Sequence, residues 1–107
     1  MMHQERYQAT ISIGSQHVDV SLILNCNSER LDGALVDGTG HQTPLTLGHV
    51  FGDKVTFRGT LLVDDESTGG QLAIPFHCFA SRSNVGINGL LKTEETSLSI
   101  VGTRAAA

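Results

Sequence analysis

The stretch LTLGHVFGDKVTFRGTLLV, residues 45–63, reads as two β-strands joined by a tight turn at Phe51-Gly52-Asp53-Lys54. Before the turn, Leu45, Leu47, His49 and Phe51 share one face; after it, Val55, Phe57, Gly59, Leu61 and Val63 do. Period two is the spacing of a half-buried strand, because successive side chains point to opposite sides of a sheet. Gly52 and Asp53 tolerate the positive φ that a tight hairpin turn requires.

The same grammar runs outward in both directions. Upstream, strands are expected at 6–13, 17–26 and 30–37, with the strand before the turn covering 42–51. Tyr7, Ala9, Ile11 and Ile13 take one face of the first; Val18, Val20, Leu22, Leu24 and Cys26 take one face of the second. Gly14-Ser15-Gln16, Asn27-Ser28-Glu29 and 37–41 are the turns. Gly33 falls inside the third strand, which implies that another backbone or side chain comes close there. Downstream, strands are expected at 54–63, 71–80, 85–92 and 96–104. Leu72, Ile74, Phe76, Cys78 and Ala80 form the inward set of the sixth. Pro75 interrupts it and cannot donate a ladder hydrogen bond. The acidic loop 64–70 lacks the alternating ligands and distant Glu of a calcium loop and reads as a solvated hairpin loop. Residues 1–5 and 105–107 read as frayed tails of a single domain spanning 1–107.

Eight strands joined by short turns, with no helical period, make consecutive strands antiparallel neighbours. An up-and-down meander of that size removes its edges by closing on itself. The expected fold is therefore an all-β antiparallel barrel of about eight strands, with closure incomplete near Pro75. A two-sheet sandwich is the alternative.

With 107 residues, the chain is long enough for one modest core. Its net charge of -4 and scattered basic residues argue against nucleic acid and against a polybasic membrane contact. No apolar run approaches a membrane helix, and the opening MMHQERYQA has no apolar leader, so the expectation is a cytoplasmic protein. Cys26 and Cys78 fall on inward phases and read as small buried hydrophobes, without CxxC spacing. No metal spacing, nucleophile elbow or phosphate loop is present, so no cofactor is implied and an enzyme is the weakest reading.

Three segments, Gly33-Ala34-Leu35, then 48–57 (GHVFGDKVTF), then Gly102-Thr103-Arg104, resemble the strand and hairpin pattern of small avidin-like or calycin-like barrel modules of uncharacterised role. The resemblance implies a barrel. Avidins wall their biotin site with Trp, and this chain has none, so it implies no ligand residue.

Two functions from different classes follow. The first is a self-associating assembly module, a dimer in the simplest case, whose outer wall carries Pro75, His77, Phe79, Leu90 and Val101. The second is a binding protein for a small apolar or amphipathic ligand. Its barrel mouth would be lined by Tyr7, His49, Phe57 and Phe76, with Arg104 as a polar companion. Low aromatic content favours the first, since pockets are usually rich in aromatics.

Overall fold

A computed structural model describes residues 3–65 and 67–105. The strands are β1 (His3–Ile13), β2 (Gln16–Cys26), β3 (Arg30–Val36), β4 (Gln42–Phe51), β5 (Lys54–Asp65), β6 (Gly70–Arg82), β7 (Gly86–Lys92) and β8 (Ser97–Arg104). Each pairs antiparallel with the next, and β8 pairs back onto β1, so the barrel is closed. The expected opening at Pro75 is corrected by this closure. Residue 75 faces Thr60 on β5, while the β6–β7 ladder begins only at His77 opposite Lys92. The proline therefore sits beyond the closed section, on a β5–β6 ribbon that overhangs it, where a missing N–H breaks no second ladder.

The inward phase fills the barrel. Tyr7, Ile11, Leu22, Leu24, Val55, Phe57, Leu61, Leu91 and Ile100 are fully buried. Eight strands enclose a space just wide enough for side chains to fill. Gly59 contributes to the filling by its lack of a side chain: a Cβ there would come within 2.9 Å of the Phe76 ring. Phe57 and Phe76 pack edge to face with centroids 6.4 Å apart. On the overhanging ribbon the inward phase loses its cover, and Leu72 is exposed. Outside, β1 and β2 are polar: Gln4 donates to Asn25 (3.0 Å), Thr10 to Asp19 (2.9 Å) and Ser21 to Gln8 (3.2 Å). Along these two strands an apolar inner face lies under a polar outer one, the reverse of a lipid-facing wall.

One local feature overturns the reading of the opening stretch. Leu31 pairs with Gly48 and Gly33 with Leu45, so β4 advances three residues while β3 advances two. The same slip recurs against β5, between Thr46 opposite Arg58 and His49 opposite Thr56. The extra residue is Leu47, at φ 51°. A bulge of this kind reverses the phase of everything after it. Gly48 and Val50 turn inward, while His49 and Phe51 turn to solvent. His49 is therefore corrected from an inward position to an outer one, where its ring lies 6.2 Å from that of Phe51.

Leu47 is mostly exposed and gains little from burial. A left-handed conformation costs an L-residue roughly 1–2 kcal/mol, against roughly 0.5–1 kcal/mol for the freedom glycine loses. Leu47→Gly is expected to raise unfolding free energy by about 0.5–1 kcal/mol. A urea midpoint unchanged or lowered would show that the bulge is not strained.

β1 also begins earlier than expected. His3, Gln4 and Glu5 pair with Cys26, Asn25 and Leu24 rather than fraying, and Ala105 donates its N–H to the Arg6 carbonyl (2.8 Å). The tail readings at 1–2 and 106–107, and Glu66 of the acidic loop, lie outside the described residues.

Candidate functional site

Two places carry chemistry. The first is the barrel end at which β1 starts and β2, β4, β6 and β8 finish. Glu5 and Tyr7, two apart on β1, both point inward, and Glu5 is only 3% exposed. The Tyr7 hydroxyl donates to Glu5 Oε1 at 2.6 Å. His3 Nε2 lies 2.6 Å from Glu5 Oε2. Arg82, at the end of β6, forms an ion pair with the same carboxylate oxygen. Its other terminal nitrogen donates to the Gly52 carbonyl in the β4–β5 turn (3.2 Å), and the Asp53 carbonyl accepts its backbone N–H (2.8 Å). Arg82 Nε is buried without a partner among the described residues.

These contacts set the protonation states. Burial pushes Glu5 up, but the bonds from Tyr7, Arg82 and His3 outweigh it and bring its pKa down to about 2. Burial, then the Glu5 bond and charge, push the Tyr7 phenol well above its ordinary value. Burial and Glu5 likewise push the Cys26 thiol up. Near neutral pH the carboxylate stays ionised, and the phenol and thiol keep their protons. None of the three is poised to exchange a proton there; the cluster is a hydrogen-bonded plug of charged and polar side chains in the barrel end.

His3, Glu5 and Cys26 also bring potential metal-ligand atoms within 4.8 Å of one another. Arg82 Nη1 already sits against Glu5 and 3.9 Å from Cys26 Sγ. The guanidinium supplies the positive charge that a cation would bring, and a metal would have to displace it. Cys26 and Cys78 are both free and buried, and burial alone pushes Cys78 up to about 12.

The second place is the outer wall of β5 to β8. Cross-strand register places Phe79 directly opposite Leu90, and Val101 opposite Asn88, diagonal to Leu90. Phe79, Leu90 and Val101 are 41%, 47% and 60% exposed, so they form one apolar stripe on the outside. His77 lies 4.3 Å from the Phe79 ring, and Lys92 Nζ sits 5.7 Å over it. Pro75 is exposed on the overhang, off one end of this stripe.

The expected mouth residues do not meet at a single site. Tyr7 and Arg104 are cross-strand partners at the polar end, as their inward phases imply. Phe57 and Phe76 are packed core. His49 is outside. Glu5 and Arg82 were missed because one falls in the 1–5 tail and the other between the strands expected at 71–80 and 85–92. Their signal was present, since each continues an inward phase by one step of two, Glu5 before Tyr7 and Arg82 after Ala80.

The chain matches no family model, no curated protein and no solved structure. An eight-stranded barrel hosts many unrelated functions, so the architecture assigns none by itself.

Proposed function

We propose that this barrel is a non-enzymatic interaction module that associates with a second copy of itself through the outer wall of β6, β7 and β8, as a dimer in the simplest case. The observation that carries the reading is the Phe79–Leu90–Val101 stripe. It lies outside a barrel whose interior already accommodates Tyr7, Phe57 and Phe76. Contiguous apolar side chains on a sheet face gain by leaving water, at roughly 25 cal/mol per Å². A face that packs on a copy of itself closes as a two-fold pair. The alternative, a small apolar ligand in the barrel mouth, needs those three aromatic rings to border free space. Tyr7 and Phe57 are instead fully buried, and Phe57 packs edge to face against Phe76.

Sedimentation velocity tests the reading. The wild-type protein is expected at about twice its 11.4 kDa chain mass. Phe79→Asp, at an exposed position, is expected at the chain mass with an unchanged far-ultraviolet spectrum. A wild-type monomer at high concentration, or a variant that keeps the oligomer mass, sinks the reading.

A further inference from the structure

The wall beside the apolar stripe carries a row of basic side chains. Register sets Thr46 opposite Arg58, Arg58 opposite His77, and His77 opposite Lys92. Directly opposite residues on neighbouring strands share a face, so three cation-bearing side chains lie side by side on the outside. Strands are spaced about 4.8 Å apart, which puts the Arg58 and Lys92 backbones about 10 Å from each other. Like charges so placed repel. His77 between them is held below its ordinary pKa, first by burial and then by Arg58 and Lys92. Among the described residues neither Arg58 nor Lys92 forms an ion pair. This occurs in a chain with a net charge of -4, where carboxylates outnumber cations.

The row borders a groove of about 560 Å³, within the size range of small-molecule sites. The hydroxyl-bearing Thr46 and Thr60 line it, and Glu94, from the turn after β7, is its single carboxylate. The ring of Phe79 supports His77 on one side and underlies Lys92, so it touches two of the three basic side chains.

We propose that this groove binds a small polyanion of the phosphate class, a diphosphate or triphosphate group. A single carboxylate would neutralise only one of the two standing charges, Arg58 and Lys92, at either end of the row. A chain of phosphoryl groups spreads its own charge over a comparable length. The Arg58 fork suits one phosphoryl group in a bidentate manner, and Lys92 suits another as a point charge. His77 donates between them, and its charged form is favoured once the anion is in place.

The probe is inorganic pyrophosphate at low ionic strength, read on the histidine ring resonances. His77 is expected to shift saturably and to titrate at higher pH when the site is full. His3, His17, His41 and His49 lie off the groove lining and serve as internal controls. Arg58→Ala with Lys92→Ala, both exposed, is expected to weaken binding by at least about tenfold without loss of fold. The assignment is overturned if His77 stays still up to about 10 mM pyrophosphate, or if all five histidines move together. It is equally overturned if the double variant binds as the wild type does, or if an oligoglutamate peptide binds more tightly than pyrophosphate. The assignment does not depend on self-association. Repeating the titration in Val101→Asp, two strands away from His77, separates the two: loss of the dimer with binding retained leaves the polyanion site standing.

Discussion

Arg82→Met is expected to lower the unfolding free energy by about 3–5 kcal/mol at neutral pH, because it leaves the Glu5 carboxylate buried without its cation. A domain of this size loses roughly 4–8 °C of melting temperature per kcal/mol, so the variant is expected to melt at least about 12 °C lower. The effect carries its own pH signature. In the wild-type fold Glu5 has a pKa of about 2, against an ordinary value of 4.5. A carboxyl group depressed on folding contributes stability above its unfolded pKa, and that contribution disappears as pH falls through the folded one. The wild-type protein therefore loses stability between about pH 4.5 and pH 2 through this residue. In the variant Glu5 keeps its burial and loses its main counter-charge, so it takes up a proton at higher pH. The gap between the two proteins is expected to be widest at neutral pH and to close towards pH 2. Urea unfolding at several pH values checks this. Equal stability at pH 7, or a gap that persists undiminished in acid, shows that the ion pair is not what stabilises the plug.

Gly33→Ala is expected to cost about 3–5 kcal/mol, or to abolish folding, through two effects that add. The residue sits at φ 151°, a backbone conformation L-residues avoid. A Cβ there would collide with the Ile23 carbonyl on β2, a backbone atom that cannot swing aside. Ala34, its neighbour on the same strand, offers the control: Ala34→Ser, on the same ladder but without either restriction, is expected to fall within about 1 kcal/mol of wild type. If Gly33→Ala unfolds at the wild-type urea concentration, the close contact between β2 and β3 is not as described.

The alternation of Val20, Leu22, Leu24 and Cys26 against Asp19, Ser21 and Asn25 names a strand and its buried face, and the structure keeps both. Gly33 within a strand announced a close backbone approach, and Ile23 is that backbone. The Gly52 turn sits where expected, at φ 65° between β4 and β5. His49 was placed on the wrong face because a phase count assumes an unbroken ladder, and nothing local to Leu47 marks it as the bulged residue.

Strand content, turn positions and the meander order were determined by the sequence alone, because they rest on period-two alternation and on residues that tolerate turn geometry within a few positions of each other. The bulge that sends His49 and Phe51 outward and the meeting of Glu5 with Arg82 were decided only by the tertiary structure. Seventy-seven positions separate those two charges along the chain. Their union depends on how far each strand is staggered against the next, summed around the barrel, and that sum is fixed by packing all eight inward faces at once.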